Sequence, residues 1–273
     1  MKVKFLGHSG FFLELPAADL LFDYYTGDLP DPDPGKPLYV FVSHVHGDHF
    51  SRSVFPLAEK TERIRYIISD DVPESKVPEQ LRREGRVRFT GPDEDFTVPF
   101  PAAHGMPETR GGEGIRVRTF RSTDAGVAFL VDVPGPFGTG ETDAVSSPQR
   151  ERFLRIYHAG DLNDWHWDDV DKAWNDEQFL GYQDALGKIA ACVRQDGRLP
   201  DAAFVPVDTR LGDGAFFWMG LDEFMQAVGA EHIFPMHLFG DPAVIDRMRN
   251  LPCAAGYRDK ILGSGTPGEI FEI

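Results

Sequence analysis

The chain has 273 residues, of which 28 are basic and 44 acidic, so its formal net charge is −16. This balance argues against nonspecific binding to a nucleic-acid backbone or an anionic membrane, since both need a basic surface. It does not argue against a small anionic substrate, because bound metal ions can reverse the local field. The apolar fraction of 41% and the 22 phenylalanines provide enough material for a sizeable core.

Two further features of the composition indicate the compartment. Cys192 and Cys253 are far apart and lack a ligand-like spacing, which favours free thiols in a reducing cytosol over a disulfide. No segment approaches the run of about 18 apolar residues that a membrane-spanning helix needs. We therefore predict a soluble, cytoplasmic protein.

The first half of the chain is typical of short strands separated by turn residues. The predicted strands are 3–6, 10–15, 20–23, 38–42, 66–69, 86–89, 115–120 and 127–133. Short helices are predicted at 53–61 and 79–84. Residues 134–150 are rich in Pro, Gly, Ser and Thr, and we predict that they form a surface loop insertion.

Strands and helices alternate in the second half. The predicted strands are 155–161, 203–207 and 232–237, and the predicted helices are 177–194, 221–228 and one that opens at Asp241 and Pro242. No change of composition resembles an interdomain linker, so residues 1–273 are predicted to form one domain. Because each half supplies a sheet with helices outside it, the predicted fold is α/β (α+β), a four-layer αββα sandwich.

The densest group of metal-binding side chains directly follows the predicted strand 38–42. His44, His46, Asp48 and His49 fall within six positions in the pattern H-x-H-x-D-H. The end of a strand delivers side chains to a fixed place, and Gly47 allows the next turn to bend tightly. Imidazole and carboxylate ligands suit Zn²⁺, Fe²⁺ or Mn²⁺ far better than Ca²⁺ or Mg²⁺. The motif therefore predicts a transition-metal site.

Two other strand ends carry metal-type residues, Asp161 and His237. With the histidine motif, they resemble the metallo-β-lactamase-fold hydrolases, in which H-x-H-x-D-H is followed by a downstream aspartate and a late histidine. The resemblance covers nearly the whole chain. Segments 6–11, 157–161 and 235–237 are further similar to the branch of ascorbate-6-phosphate-lactonase-like proteins.

The resemblance implies a dinuclear centre of two divalent transition metals, with Zn²⁺ favoured and Mn²⁺ or Fe²⁺ as alternatives. Six residues of this chain match the ligand positions of the family. They are His44 and His46 on the first metal, Asp48, His49 and His237 on the second, and Asp161 as the bridge. Such a pair of cations acidifies bound water. The implied activity is therefore hydrolysis of a small molecule (a lactone, ester, amide or phosphodiester) by a metal-bound hydroxide.

The chain departs from this pattern at the third ligand of the first metal. Members of the fold usually have a histidine just before the strand that corresponds to 127–133, and this chain has none there. Asp124 is one replacement, because a carboxylate oxygen binds Zn²⁺ at a distance similar to imidazole. His104 is another, although 22 residues separate it from Gly126. The third alternative is a vacant first site or a single metal.

Several neighbouring residues are candidates for substrate contacts and for proton transfer. Predicted substrate-binding residues are His8, Asn163, Trp165, Trp167 and Arg210, and predicted proton carriers are Asp48 and His166. The aromatic residues follow the bridging candidate directly, so they lie near the metals. Arg210 follows another strand and could clamp a carboxylate or phosphate bidentately, or form an ordinary pair with a nearby aspartate.

Two other functions stay open at this point. One is a phosphodiesterase or nuclease on the same metal centre, although the acidity of the chain counts against long nucleic acids. The other is a noncatalytic metal- or ligand-binding protein with a degenerate first site. The predicted partner is a small-molecule substrate, and the sequence does not predict the oligomeric state.

Overall fold

The computed structural model describes residues 1–101, 114–135, 153–212, 216–263 and 265–273. Within these ranges the strands are β1 (Lys2–Gly7), β2 (Gly10–Glu14), β3 (Asp19–Phe22), β4 (Leu38–Val42), β5 (Ile64–Ser69), β6 (Val87–Thr90), β7 (Asp95–Pro99), β8 (Gly114–Arg121), β9 (Val127–Pro134), β10 (Phe153–His158), β11 (Ala202–Pro206), β12 (Ile233–Met236) and β13 (Ile270–Glu272). The helices are α1 (Leu57–Lys60), α2 (Glu79–Arg83), α3 (Lys172–Asp196), α4 (Phe216–Ala227) and α5 (Ala243–Asn250).

The strands form two mixed sheets with related topologies. The first sheet has the order β13-β1-β2-β3-β4-β5-β6, and the second has the order β12-β11-β10-β9-β8-β7. In the first sheet the pairs from β13 to β3 are antiparallel and those from β3 to β6 parallel. In the second, the pairs from β7 to β10 are antiparallel and those from β10 to β12 parallel. Apart from β13, each sheet comes from one continuous part of the chain.

The two sheets face each other across a shared core, and helices cover their outer faces. In β4, Tyr39 and Phe41 pack into the core between the sheets, because successive strand residues point to opposite faces. Val40 instead packs with Leu57 of α1 and Leu81 of α2 in a second cluster outside the first sheet. The predicted αββα sandwich is therefore confirmed on this side.

Helix α3 provides much of the outer layer on the second sheet. Tyr182, Leu186 and Ile189 belong to the core cluster that also contains the strands of both sheets. The helix begins five residues before its predicted start, because the carboxylate of Asp171 accepts a hydrogen bond from the N–H of Trp174 and caps it. No helix within the described ranges is both long and apolar enough to cross a membrane.

Some local predictions were wrong. The predicted helix 53–61 is a 3-10 turn at Arg52–Val54 followed by the single turn of α1. The edge strands β7 and β13 were not predicted. The predicted loop insertion 134–150 lies almost entirely outside the described residues, since β9 continues through Pro134 and residues 136–152 are not described. The division into one domain stays a prediction.

Candidate metal centre

Three strand ends deliver the predicted metal-type side chains to one edge of the sandwich. The histidine motif follows β4, Asp161 follows β10, and His237 follows β12 directly. All three of these strands have parallel partners. The carboxyl ends of parallel strands lie at the same edge of a sheet, which is where α/β proteins assemble their sites.

Two glycines allow neighbouring turns to approach the start of the histidine motif. Gly126 has φ +64°, and a Cβ there would lie 2.0 Å from the carbonyl oxygen of Ser43. Gly160 has φ +54°, and its Cβ would lie 2.7 Å from the Cβ of Ser43. Any other residue would push the turns away, so these glycines bring Asp124 and Asp161 towards the motif.

Asp161 lies at the centre of the cluster. Its Oδ1 is 3.0 Å from His49 Nε2 and 3.2 Å from His237 Nε2, and its Oδ2 is 3.4 Å from His44 Nε2. All four side chains are buried. These distances would allow hydrogen bonds, but the angles do not, and Oδ1 and the three nitrogens have no hydrogen-bond partner. Atoms that converge without pointing at one another are arranged as ligands of a common ion would be.

Asp23 sets the orientation of two of these histidines. Its Oδ2 accepts hydrogen bonds from His49 Nδ1–H at 2.8 Å and from the Ser43 hydroxyl at 2.5 Å. The Ser43 oxygen in turn lies 2.9 Å from His44 Nδ1, which donates to it because the hydroxyl proton is already used. Both imidazoles therefore use Nδ1 as a donor and direct Nε2 at Asp161, so Nε2 is the atom that a metal would bind in place of a proton. Asp23 was not predicted from the sequence.

Asp208 does the same for the third histidine. His237 Nδ1–H donates to Asp208 Oδ2 at 2.9 Å, so Nε2 is again the ring nitrogen directed at Asp161. The guanidinium of Arg210 donates to both oxygens of the same carboxylate, at 2.6 to 3.1 Å. Burial would raise the pKa of Asp208, but His237 and Arg210 outweigh it and lower that pKa. The carboxylate stays charged and holds the ring.

The predicted first site is more open to solvent. His46 Nδ1 lies 3.7 Å from Asp124 Oδ2, and their side chains are 49% and 48% exposed. The ligand atoms of His46, Asp124 and Asp161 all lie within 4.8 Å of one another, which is a spacing that one ion can span. The structure therefore brings Asp124 to the place of the missing ligand. The alternative, His104, lies outside the described residues.

His8 lies closer to the predicted second site than the sequence indicated. It has φ +53°, and its Nε2 is 3.2 Å from Asp48 Oδ2. Its ring centroid is 4.2 Å from that of His237. Ligand atoms of His8, Asp48, His49 and His237 lie within 4.8 Å of one another. We predicted His8 as a substrate-binding residue at the edge of the site, and the structure places it among the metal-type side chains.

The carboxylates dominate the electrostatics of this cluster. Burial disfavours charge on Asp161, but His49, His237 and His44 outweigh it and hold the pKa of Asp161 well below its usual value. Burial likewise opposes the charged form of His49, but Asp161 and Asp23 raise its pKa to about 10. The close approach of His8 Nε2, 3.2 Å from Asp48 Oδ2, is the main cause that lowers the pKa of Asp48. The carboxylates are therefore ionised at neutral pH, as ligands of a cation must be.

The aromatic segment after Asp161 splits between the site and the core. The indole N–H of Trp165 donates to the carbonyl oxygen of Asp161 at 2.9 Å, and its ring centroid is 5.6 Å from that of His237. Trp167 stacks parallel to Trp165 with centroids 6.4 Å apart. Both indoles thus form a wall beside the cluster, where they were predicted.

Asn163 and His166 lie elsewhere. The side-chain oxygen of Asn163 packs against Gly220 of α4, where a Cβ would meet it at 1.9 Å. The ring of His166 stacks on Phe216 of the same helix, with centroids 3.9 Å apart. His166 belongs to no group of metal-type ligand atoms in the described ranges. The structure places both side chains against α4.

Phe239 is a site residue that the sequence did not indicate. It has φ +45°, which is unusual for a bulky residue, and it is 42% exposed. Its ring centroid lies 4.9 Å from those of both His8 and His237, and the guanidinium carbon of Arg210 lies 3.7 Å from it. An exposed phenylalanine after a strand has no pattern that would have distinguished it.

The residues fit a transition metal on two observations of the structure. First, three buried imidazole nitrogens and one carboxylate oxygen around Asp161 lack partners and converge. Buried polar atoms without partners are costly, so native proteins retain them where another group satisfies them. Second, buried carboxylates hold the rings of His49 and His237 through their far nitrogens, which is the arrangement of histidines that bind metals.

Comparison with known proteins agrees with this geometry. No family model matches the chain. It is 45% identical over 64 residues to a UPF0173 metal-dependent hydrolase of Desulforamulus reducens, which covers 22% of this chain and 28% of the relative. It is 37% identical over 67 residues to one from Methylacidiphilum infernorum, which covers 23% and 29% of the two chains. The matches thus span less than a third of each relative.

A solved structure is similar over the whole chain. Igni18, a metallo hydrolase from Ignicoccus hospitalis, matches with a TM-score of 0.57 and 16% identity, covering 100% of this chain and 98% of that one. At this identity the likeness shows the fold. The closer resemblance to the ascorbate-6-phosphate-lactonase-like branch stays a prediction. With its two mixed sheets, its outer helices and its strand-end histidines, the chain is a protein of the metallo-β-lactamase fold, and the relatives that share part of its sequence are metal-dependent hydrolases.

Proposed function

We propose that this chain is a metal-dependent hydrolase of a small molecule, with a dinuclear centre and Zn²⁺ as its preferred ion. The observation that carries the proposal is the convergence of buried ligand atoms without partners around Asp161. The names of the partial relatives support the same activity. The absence of a membrane-spanning helix in the described ranges is compatible with the predicted cytoplasmic location.

Three overlapping groups of ligand atoms supply the proposed ligands: His46, Asp124 and Asp161; His44, His49 and Asp161; and His8, Asp48, His49 and His237. Following the family resemblance, we propose that the first metal would be held by His44, His46, Asp124 and Asp161, and the second by Asp48, His49, Asp161 and His237. His8 is an additional candidate for the second metal, since its Nε2 belongs to that group. Imidazole and carboxylate ligands in this proportion suit Zn²⁺, and the extra carboxylate at the first site also suits Mn²⁺ or Fe²⁺.

When bound, the two cations would acidify a water molecule and polarise the carbonyl or phosphoryl oxygen under attack. The protein's own contribution is orientation. Asp23 and Asp208 hold the rings of His49 and His237, so their Nε2 atoms stay directed at Asp161. Fixed ligands spare the reaction the cost of reorganising the site.

Asp48 is the carboxylate that reaches from the proposed second site to solvent. Its side chain is 39% exposed, while its Oδ2 faces His8. Because the pKa of Asp48 is lowered, its carboxylate is a weak base. We propose that it orients the attacking water by accepting a hydrogen bond from it. His166 stacks on Phe216 instead, so we no longer propose it for proton transfer.

A small substrate fits the surroundings of the cluster. Trp165, Trp167 and Phe239 stand beside the metal-type residues, and the rings provide an apolar surface for the body of a small organic molecule. The net charge of −16 disfavours binding of the phosphate backbone of a long nucleic acid. We therefore favour a small ester, lactone or amide over a polynucleotide.

Elemental analysis combined with a substrate panel tests the proposal. Purified protein should contain about two equivalents of transition metal, and a chelator should abolish turnover of an ester, lactone, amide or phosphodiester in the panel. Metal without turnover on any substrate class would favour a noncatalytic metal-binding protein. Turnover confined to phosphodiesters would favour the phosphodiesterase, and protein that neither contains nor binds a transition metal would refute the whole assignment.

A further inference from the structure

Arg210 stands out as a cation fixed beside the proposed metal centre. Its Nε and Nη2 donate to the carboxylate of Asp208, which is fully buried. The same carboxylate accepts the hydrogen bond of His237 Nδ1–H. One hydrogen bond and one imidazole ring therefore separate the Arg210–Asp208 pair from the ligand cluster, and the guanidinium cannot move without disturbing that link.

The outer edge of this guanidinium is free to bind a ligand. Asp208 uses Nε–H and one hydrogen of Nη2. The second hydrogen of Nη2 and the parallel hydrogen of Nη1 form the outer edge, which has no acceptor within the described residues. The side chain is 46% exposed, so these donors face solvent. A guanidinium with two parallel N–H groups matches the oxygens of a carboxylate or a phosphate better than any neutral group.

Aromatic rings connect this free edge to the metal-type histidines. The guanidinium carbon lies 3.7 Å from the ring centre of Phe239 and 5.5 Å from that of Trp167. The ring centroid of Phe239 also lies 4.9 Å from the ring centroids of His8 and of His237. Its positive φ holds the ring in this exposed place at a cost in backbone strain, which proteins retain mostly at functional sites.

We propose that Arg210 and Phe239 form a subsite that selects substrates carrying an oxyanion, a carboxylate or phosphate group, a few atoms from the bond that is hydrolysed. The anion would bind the free edge of Arg210, and the body of the substrate would lie on Phe239 towards the cluster. This inference rests on the proposed hydrolase function for its substrate class, but the anion site itself does not depend on turnover.

The test compares esters that differ only in the anionic group. Metal-loaded wild-type protein is assayed with phenyl acetate, 3-carboxyphenyl acetate and 3-(phosphonooxy)phenyl acetate. We expect kcat/KM for the better anionic ester to exceed that for phenyl acetate, and R210Q to reduce this ratio by at least about tenfold, since charge-assisted hydrogen bonds are lost. The ratio is the readout because any effect of R210Q on the metals acts on all three esters.

Arg247 offers a matched control. Its side chain is 43% exposed, it pairs with Asp241 at 2.9 Å, and its guanidinium carbon lies 5.6 Å from the ring of Phe217. It thus has an aspartate and a phenylalanine neighbour, as Arg210 does, but it lies on α5 away from the cluster. R247Q should leave the substrate ratio unchanged. An equal reduction in R210Q and R247Q would overturn the proposal.

A binding measurement separates this inference from the proposed activity. Calorimetric titration of the metal-loaded protein with benzoate and with phenyl phosphate should show at least about tenfold weaker binding to R210Q than to wild type for one of the two anions. The anion whose binding is weakened in R210Q shows whether the subsite prefers a carboxylate or a phosphate. If no ester is hydrolysed but Arg210 still determines anion binding, the hydrolase proposal fails and the subsite stands. Equal binding to wild type and R210Q would overturn the subsite, whatever the turnover.

Discussion

The two halves of the candidate metal centre come from one short motif but have different surroundings. His49 is fully buried, and Asp23 holds its ring through Nδ1. His46 lies three residues earlier and its side chain is 49% exposed. Within the described residues its ring makes no hydrogen bond, and the carboxylate of Asp124 lies 3.7 Å from its Nδ1. The comparison teaches that a ligand motif specifies which atoms meet, while burial and the supporting carboxylates decide how firmly they are held.

This difference leads us to expect unequal metal affinities. A ligand whose ring is already oriented loses little conformational freedom on binding, whereas His46 and Asp124 must both be ordered by the ion. The second site should therefore keep its metal under conditions in which the first exchanges it. The following predictions test that contrast, beginning with the residue that both sites share.

Asp161→Asn should have the largest effect, because it removes the charge that both proposed sites use. The amide has a neutral oxygen and a nitrogen donor where the carboxylate faces three imidazoles. We expect both metals to be lost and kcat/KM to fall by about a thousandfold or more. Metal analysis and steady-state kinetics on the same preparation measure the two effects.

The matched control for that variant is Asp93→Asn. Asp93 is 49% exposed and pairs with Lys188 at 3.1 Å on the surface. It should keep both the metal content and the activity of the wild type. An Asp161→Asn protein that retained a full metal complement would contradict the role of Asp161 as the shared ligand.

His237→Ala and His46→Ala should separate the two sites. His237 is 2% exposed and donates to Asp208, so its loss should empty the second site and remove one of the donors to that buried carboxylate. His46→Ala should lose only the weaker first metal and retain about one equivalent. Dialysis against a graded series of chelator concentrations, followed by metal analysis, gives the order of release. If wild-type protein released both metals together, the proposed contrast between the sites would be wrong.

Asp208→Asn should weaken the second site without removing any ligand. An asparagine can still accept from His237 through its oxygen, but it no longer stabilises the ring with a charge, and it cannot hold Arg210 as firmly. We expect metal affinity to fall by about ten- to a hundredfold. Competition with a chromophoric chelator measures this change.

Asp241→Asn is the comparison for Asp208→Asn. Asp241 also pairs with an arginine, Arg247, but its side chain is 37% exposed, and within the described residues no hydrogen bond or ion pair joins it to a histidine. Its substitution should leave metal affinity within about twofold of the wild type. Equal losses in the two variants would show that Asp208 acts through general stability and not through His237.

Much of this centre was predictable because strand ends have fixed directions. Asp161 and His237 each follow an apolar run, so their convergence with the motif after β4 followed from the fold. The two supporting carboxylates were harder to see. Asp23 and Asp208 sit in turns, and nothing in the chain near them indicates which distant imidazole will reach them.

Two side chains point in a direction that the sequence did not indicate, for a similar physical reason. Asn163 and His166 are adjacent in sequence to site residues, but the chain bends after Asp161 and turns them towards α4. Closeness in sequence limits where a backbone lies and says little about the direction of a side chain. The edge strands β7 and β13 were missed because their side chains are mostly exposed, so they lack an apolar pattern.

The smallest expected effect concerns the scaffold behind the second site. Burial, together with Asp164 and Asp222, raises the pKa of Glu223 in α4 from 4.5 to about 7. Between those values the folded chain holds a proton that the unfolded chain has released, so the free energy of unfolding decreases as the pH rises through this window. Glu223→Gln mimics the protonated form at every pH and therefore removes this decrease in stability.

We therefore expect the free energy of unfolding of Glu223→Gln to match that of the wild type near pH 4.5 and to exceed it by about 1 kcal/mol at pH 8. This difference is smaller than the full pKa shift would give, because Glu223 is only partly buried. Urea unfolding at both pH values measures the difference. Metal content should not change, since Glu223 belongs to none of the groups of metal-type ligand atoms in the described ranges. A stability gain that was the same at both pH values would contradict the titration of Glu223. A loss of metal would instead show that the scaffold behind Asp161 and the ligands themselves are coupled, and that the second site is less rigid than its burial indicates.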